Sequence, residues 1–218
     1  GRVVRQKHPG ESVGEQSMRS KMKRDLMGVI GAVALYALLM GLIESEVIGA
    51  FWQLNIVLIC INIILAVSLN LITGFTGQFS IGHAGFMAVG AYMSAVFTVK
   101  LGLPYIVGIL AGAVGAAILG FAIGLPTLRL KGDYLAIATL GLGEIIRITI
   151  LNIPYVGGAS GLMGIPRYTT FTWAFFLMVI TVLFIKNFIN SSHGRACISI
   201  RENEIAAEAM GVDTTQYK

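Results

Sequence analysis

The sequence predicts an all-α polytopic membrane protein with about six transmembrane helices. Hydrophobic residues occupy 56% of the 218 positions and charged residues 12%, whereas about a quarter of an ordinary soluble domain is charged. The mean hydropathy is +0.79. Six apolar stretches approach the roughly 20 residues that a helix needs to cross a bilayer. The lipid bilayer is therefore the expected solvent of this chain.

The predicted spans divide the chain into three parts. The spans run over about Leu26–Ile43, Val47–Ile72, Ala84–Val99, Tyr105–Pro126, Tyr134–Leu151 and Phe171–Ile189. Residues 26–190 thus form a transmembrane domain between a basic tail (residues 1–25) and a polar segment (residues 191–218). The tail has no apolar core of its own, which predicts disorder.

The distribution of Lys and Arg predicts the orientation, because short loops that carry positive charge stay in the cytoplasm. Six spans place thirteen of the sixteen basic residues on one side, with Lys100 and Arg167 on the other side and Arg147 within a span. Both the N-terminal tail and residues 191–218 are therefore expected in the cytoplasm. The basic residues adjoin apolar runs rather than forming a stripe on a soluble domain, so no nucleic-acid partner is expected.

The fourth predicted span carries a stripe of small residues spaced four apart. The stripe consists of Gly108, Gly112, Ala116, Gly120 and Gly124. Small residues let helix backbones approach closely in lipid, where close packing replaces the hydrophobic drive between helices. A tight helix contact is the favoured interpretation, and a surface that slides during gating is the alternative.

The stretch "GFTGQFSIGHAGFMAVGAY" interrupts the apolar pattern and predicts a broken or re-entrant segment near residues 73–85. Irregular backbone at membrane depth persists only where protein or water satisfies its polar groups, and transporters present such breaks to their substrates. The candidate residues for lining a translocation path are Asn70, Thr73, Thr76, Gln78, Ser80 and His83. A structural turn at the inner face is the alternative. Ser80 is a candidate cap for the following helix.

Two further path candidates, Glu144 and Arg147, lie near the middle of the fifth span. Their spacing of three places them on one helical face. Because an isolated charge at this depth is costly, each must face protein, water or the other. A mutually neutralising pair is the favoured interpretation, and a polar route is the alternative.

No motif for catalysis, a cofactor or a metal is present in the sequence. It contains no G-x-x-x-x-G-K-[ST] phosphate loop and no H-E-x-x-H, and its two cysteines lack zinc spacing. Cys60 lies in an apolar run and Cys197 in a polar tail, so two free thiols are expected. The glycine- and proline-rich stretch Asn152–Thr170 is a candidate docking loop for an external partner.

Four sequence blocks stand out along the chain: "NLITGFTGQFSIGHAGFMAVGAYMSA", "LRLKGDYLAIATLGLGEIIRI", "GGASGLMGIP" and "GRACISIRENEIAAEAMGVDTTQYK". In this order they resemble the M-type permease subunit of bacterial branched-chain amino acid ABC importers. The resemblance implies a multi-pass subunit of the bacterial plasma (inner) membrane that is not itself an enzyme. Its implied partners are a second related permease, two cytoplasmic ATPase subunits and a periplasmic amino acid binding protein. Family members continue into further spans, which implies that this chain is a fragment.

The same resemblance assigns residues 191–218 to a cytoplasmic coupling loop. Family permeases carry the signature E-A-A-x-x-x-G on a helix that docks on the ATPase. Ala206, Ala207 and Gly211 match this signature, whereas Ile205 occupies its first position and Glu204 precedes it. A coupling helix over Glu202–Gly211 that ends at the glycine is therefore expected.

Two alternatives remain open at the level of the sequence. A related importer for urea or another small polar solute would share the same blocks. A stand-alone membrane channel would need no ATPase, and the coupling-like tail weighs against it.

Overall fold

The structure, a computed structural model, describes residues 9–45, 48–127, 130 and 132–214, with side chains from residue 27 onward. The described residues contain helices and connecting segments and no strand. The helices are α1 (Pro9–Glu44), α2 (Ala50–Asn70), α3 (His83–Ala95), α4 (Tyr105–Thr127), α5 (Asp133–Asn152), α6 (Phe171–Asn190), α7 (Ser192–Glu202) and α8 (Glu204–Ala209). The all-α class is confirmed.

Two compact units make up the chain, Gly1–Ile59 and Cys60–Lys218. The first unit holds α1 and the beginning of α2, and the second holds the rest. Within α1, the part from Met27 to Glu44 is apolar enough to cross a membrane. The two cysteines are free thiols, as the sequence predicts, and both are buried.

The N-terminal tail differs from expectation, because α1 begins at Pro9 rather than near residue 26. Residues 9–25 therefore extend the first span as helix, and residues 1–8 lie outside the described part. Proline suits the first position of a helix, since its missing N–H has no partner there in any case. The apolar span supplies a formed helix, to which further residues add at low cost.

Five helices of the described residues are long and apolar enough to cross a bilayer, which makes the chain a multi-pass membrane protein. They cover Met27–Glu44, Ala50–Phe75, Tyr105–Thr127, Asp133–Asn152 and Phe171–Asn190. The predicted span Ala84–Val99 is not among them. It is nevertheless helical, since α3 continues without a gap into a π-helical turn, Val96–Lys100. Together they form 18 residues, or about 27 Å of helix at 1.5 Å per residue.

Helices α3 and α4 make the most extensive contact within the second unit. A Cβ added to Gly112 would collide with the carbonyl oxygen of Gly90, and a Cβ added to Gly108 would lie 2.5 Å from Thr98 Cγ2. Two backbones approach this closely only where side chains are absent or small. The first half of the glycine stripe therefore lies in this contact.

The second half of the stripe is looser. A Cβ on Gly120 would lie 3.8 Å from Phe86 Cε1, an ordinary van der Waals distance, and a Cβ on Gly124 would meet nothing within 4 Å. As residue numbers rise along α4, its partners on the π-helical turn and α3 fall from Thr98 through Gly90 to Phe86, so the two helices run antiparallel. Helix α3 accordingly lies along most of the length of α4.

Helices α6, α7 and α8 follow one another with tight connections. Ser191 caps α7, since its hydroxyl accepts a hydrogen bond from the backbone N–H of Gly194 at 3.2 Å. Asn203 caps α8, since its Oδ1 accepts from Ala206 N at 3.1 Å. A helix is therefore present in the segment Glu202–Gly211, but it is shorter than expected, since Glu202 belongs to α7 and α8 covers Glu204–Ala209. The chain breaks at Asn203, because an asparagine cap competes with continuation of the helix.

Candidate functional site

The candidate site begins where α2 loses its regular pattern. After Asn70 the chain forms a π-helical turn, Leu71–Phe75, and then runs irregularly through residues 76–82 before α3. Wide turns mark the break: Thr76 N donates to Leu71 O and Gln78 N donates to Ile72 O, both at 3.2 Å. We call residues 74–82 the break segment. The broken helix predicted near residues 73–85 is therefore present.

Helix α5 holds the end of the break segment in place. The buried hydroxyl of Thr139 accepts a hydrogen bond from Ile81 N at 3.1 Å and donates to Ala136 O at 3.0 Å. A Cβ on Gly82 would lie 2.5 Å from the carbonyl oxygen of Thr139. Close packing and a buried hydrogen bond thus hold the start of α3 against Thr139, about six residues after α5 begins.

The predicted cap of α3 is wrong. Its N-cap residue is Gly82, and no side chain caps it. Gly82 can approach Thr139 this closely only because it has no side chain. This backbone contact therefore sets where α3 begins. Ser80, the predicted cap, instead lines the space on both sides of the break segment.

His83 is oriented by Ser68 of α2. The distance between His83 Nε2 and Ser68 Oγ is 3.1 Å, and Ser68 Oγ donates to Leu65 O at 2.9 Å. A hydroxyl has one hydrogen to give. Since Ser68 donates it to Leu65, the Nε2–H of His83 is the donor to Ser68. This bond ties the first residue of α3 to α2 across the break.

Two cavities meet at Ser80 and His83. One lies between α2 and α3, has a volume of about 710 Å³, and is also lined by Asn70 and Thr73. The other lies between α3, α4 and α5, also has a volume of about 710 Å³, and is also lined by Gln78. Both volumes fall within the range of small-molecule sites. Apolar side chains supply most of both walls, with these polar groups concentrated at the break.

Of the six path candidates in and before the break, Thr76 alone faces a different space. It lines a groove on the side of α7, together with Gln78 and Arg201. Its hydroxyl donates to Ile72 O at 2.5 Å, so it satisfies a carbonyl of the π-helical turn. The other five candidates surround the two cavities.

Glu144 and Arg147 lie apart from this cluster. Arg147 donates from Nε to Glu144 Oε2 at 2.9 Å and from a terminal nitrogen to Oε1 at 2.5 Å. The side chains of Arg147 and Glu144 are 63% and 51% exposed, respectively. They line neither cavity and form a bidentate ion pair on the surface of α5. Within the described residues, no three His, Cys, Asp or Glu side chains cluster as metal ligands would.

The matches to the ABC permease signature lie on two faces of α8. Ala207 is only 5% exposed and packs inside this chain, whereas Ile205 is 81% and Met210 85% exposed. Ala206 is exposed and Glu204 is half-buried. Gly211 lies two residues after the end of α8 and has φ +86°, a conformation that favours glycine. The docking surface assigned to both alanines by resemblance needs correction, because the side chain of Ala207 is turned inward.

The stretch Asn152–Thr170 forms an ordered cluster at the other end of α4 and α5. Tyr105 Oη and Thr169 Oγ1 lie 2.8 Å apart, and the ring of Tyr105 lies 6.1 Å from that of Trp173. Lys100 Nζ lies 5.5 Å from the centre of the Tyr155 ring. Tyr and Trp are enriched where membrane meets water, and their presence here is consistent with such an interface.

The sequence-based predictions did not include Ser68 or Thr139, or the position of Arg201 beside Thr76 and Gln78. Ser68 and Thr139 are polar residues within apolar spans, and such residues are costly unless they are bonded. This cost indicates that each of the two residues has a hydrogen-bond partner, which the sequence alone could have suggested. Their partners, on the other side of the break, are not recognisable from spacing alone.

Comparison with known proteins gives consistent matches. The family described as "Branched-chain amino acid transport system / permease component" matches residues 54–218. The high-affinity branched-chain amino acid transport system permease protein LivM of Salmonella typhimurium is 36% identical over 72% of this chain and 45% of its own length. LivM of Escherichia coli is 34% identical over the same shares of the two chains.

A more distant relative comes from an archaeon. The probable branched-chain amino acid transport permease protein LivM of Methanocaldococcus jannaschii is 32% identical over 47% of this chain and 34% of its own length. The chain spans less than half the length of these relatives. No solved structure matches it.

Proposed function

Because this chain belongs to the family of branched-chain amino acid transport permease components, we propose that it forms part of the translocation path of an ATP-driven importer for leucine, isoleucine or valine. The observation that carries the proposal is the break segment, with two cavities that meet at Ser80 and His83. Discontinuous helices are where transporters expose backbone groups and helix ends to substrates. An apolar wall with few polar groups suits an amino acid with an aliphatic side chain.

The path residues have separate roles in this proposal. Asn70, Thr73, Gln78, Ser80 and His83 line the two cavities, and Ser80 and His83 lie where they meet. Ser68 and Thr139 are positioning residues, since each holds one side of the break by a hydrogen bond. Thr76 stabilises the π-helical turn by bonding Ile72 O.

We infer six membrane crossings, with α3 and its π-helical turn as the short third crossing. About 27 Å of helix nearly matches a hydrocarbon core of about 30 Å. The antiparallel contact of α3 with α4 supports a crossing, because α4 is itself long enough to span. Five crossings would instead place Arg129, Lys131 and residues 191–218 outside, against the usual retention of positive charge in the cytoplasm.

This orientation places the N-terminal tail, α7 and α8 in the cytoplasm of a bacterial cell, with the subunit in its plasma (inner) membrane. Helix α8 then contacts a cytoplasmic ATPase subunit through its exposed residues Ile205 and Ala206, together with Met210, which directly follows the helix. Two such ATPases, a second related permease and a periplasmic amino acid binding protein complete the proposed importer. Hydrolysis of ATP is the task of the partners. The aromatic cluster around Tyr105 lies on the periplasmic side, where the binding protein docks.

A related importer for urea or another small polar solute is a second candidate. The polar groups at the break would suit such a solute, but the apolar walls favour an aliphatic side chain. A stand-alone channel is a third candidate, and the match of Ala206, Ala207 and Gly211 to the coupling signature weighs against it, since a channel has no ATPase to contact.

The test is transport by the full-length protein, reconstituted in vesicles with its permease, ATPase and binding-protein partners. We expect ATP-dependent uptake of radiolabelled leucine, with isoleucine and valine as competitors and urea without effect. His83→Ala should reduce uptake, because alanine removes the imidazole that bonds Ser68 and lines both cavities. The matched control is His193→Ala, an exposed histidine on α7 that lines neither cavity. Uptake of urea in place of leucine would favour the second candidate, and uptake without ATP the third.

A further inference from the structure

Arg201, in the last turn of α7, contacts the break segment directly. Its Nη1 donates a hydrogen bond to the carbonyl oxygen of Gly74 at 2.6 Å. The last carbonyls of a helix lack the backbone N–H that would follow them, and Gly74 lies in the π-helical turn that ends the continuous path of α2. A charged donor from a different helix, 127 residues later in the chain, supplies a partner for one of them.

The stem of Arg201 packs on the break segment as well. A Cβ added to Gly77 would lie 2.6 Å from Arg201 Cγ and 3.2 Å from its Cβ. Gly77 also has φ +71°, a conformation that other residues adopt only with strain. Glycine is therefore favoured at this position both by its backbone and by the approach of Arg201.

Glu202 fixes the direction of the guanidinium. Its Oε1 accepts from Arg201 Nε at 3.2 Å and from Nη2 at shorter range. With Nε and Nη2 held on that side, Nη1 is presented to Gly74. Asn203, the next residue, caps α8. The backbone therefore connects α8 through Asn203 and Glu202 to Arg201, and Arg201 in turn contacts Gly74 and Gly77.

We propose that Arg201 is the positioning residue that links α8 to the break segment, so that a displacement of α8 moves the backbone at Gly74 and Gly77. This inference rests on the proposed function, because it assumes that α8 moves with an ATPase partner. Asn203 alone separates Glu202, the last residue of α7, from α8, and the two helices also pack against each other, so a tilt of α8 is passed to the end of α7. The break segment responds because its backbone has few regular hydrogen bonds of its own, in contrast to the helices on either side.

The first experiment measures the contact without transport. Amide hydrogen exchange of residues 74–82 is compared in the full-length wild-type protein and in Arg201→Gln. We expect exchange to become about tenfold faster, the effect of losing one charge-assisted hydrogen bond. The matched control is Arg195→Gln, on the same helix, where the arginine is exposed and contacts Ser192 Oγ at 3.4 Å. Equal exchange in Arg201→Gln and wild type would overturn the link, whether or not the protein transports leucine.

The second experiment measures uptake of radiolabelled leucine per ATP hydrolysed in the reconstituted importer. Arg201→Gln and Gly77→Ala should each reduce this ratio, with ATP hydrolysis and the amount of assembled protein retained. The double variant should be no worse than the more defective single variant, because both changes break one contact. A merely structural role would lower the amount of assembled protein and leave the ratio unchanged, which would overturn the proposal. Absence of ATP-driven leucine uptake in the wild type would count against the proposed function instead, and exchange at residues 74–82 would still decide the contact.

Discussion

Gly112 of α4 lies so close to Gly90 of α3 that a Cβ on Gly112 would collide with the carbonyl oxygen of Gly90. Replacing Gly112 by Leu should therefore separate the two helices. Overpacking of this kind costs about 1–3 kcal/mol in typical proteins. The expected result is a lower midpoint of thermal unfolding in detergent and a smaller yield of assembled complex.

Gly124 provides the matched control, since it belongs to the same stripe but has nothing within 4 Å of an added Cβ. Gly124→Leu should leave the unfolding midpoint close to that of the wild type. Gly120→Leu should be intermediate, because an added Cβ at Gly120 makes an ordinary contact with Phe86. Equal loss of stability in the Gly112 and Gly124 variants would contradict the packing role of the stripe in this chain.

The ion pair of Glu144 and Arg147 gives a second prediction. Both side chains are more than half exposed on a helix long enough to span a membrane, and a charge at that depth must face protein or water. Arg147→Ala should reduce the amount of folded permease in the membrane, because it leaves Glu144 without its partner. Arg147→Ala combined with Glu144→Ala should restore part of that amount.

Membrane abundance of the full-length variants, measured by quantitative immunoblotting, checks this prediction. Thr149→Ala on the same helix is the control, because its hydroxyl bonds its own helix at Ile145 O. If the double variant loses as much membrane abundance as the two single variants lose together, each charge has a separate partner. A polar route along this face of α5 would then gain support.

The two alanines of α8 should behave differently. Ala206 is exposed and Ala207 is 5% exposed inside this chain. Ala206→Trp should keep the protein in the membrane and reduce leucine uptake, because it enlarges the surface offered to the ATPase. Ala207→Trp should instead reduce the amount of folded protein, because a buried site cannot hold an indole without displacing its neighbours.

Abundance and uptake measured together on the two variants decide this point. The outcome that would contradict it is normal abundance and lost uptake in Ala207→Trp. In that case the ATPase would contact the face of α8 that is buried here, and the helix would have to rotate when the importer assembles.

Much of the fold follows from local composition. Apolar runs of about 20 residues predict α2, α4, α5 and α6 within a few residues of their observed limits, because only a helix satisfies its own backbone in lipid. The glycines of residues 74–82 predict the break for the same reason, since no regular helix continues through them. These features depend on sequence neighbours alone.

The contacts of the break could not be predicted in this way. Thr139 bonds Ile81 across 58 residues, and Arg201 bonds Gly74 across 127 residues. Nothing in the spacing of either pair marks it as a contact. The inward orientation of the Ala207 side chain could not be predicted for a related reason, because a helix of six residues is too short for its periodicity to define a face.

The number of crossings gives the last prediction, since six crossings and five place α8 on opposite sides of the membrane. Single cysteines are introduced at Met163, in the stretch Asn152–Thr170, and at Ile205, on α8, after Cys60 and Cys197 have been replaced by Ser. Both positions are exposed, at 77% and 81%, so reagent access depends on the side of the membrane. With six crossings, Met163→Cys reacts with a membrane-impermeant maleimide added to spheroplasts, and Ile205→Cys reacts only after permeabilisation. If α3 does not cross, the order reverses: Ile205→Cys is labelled in intact spheroplasts, the cytoplasmic assignment of α8 fails, and the ATPase contact proposed for it fails with it.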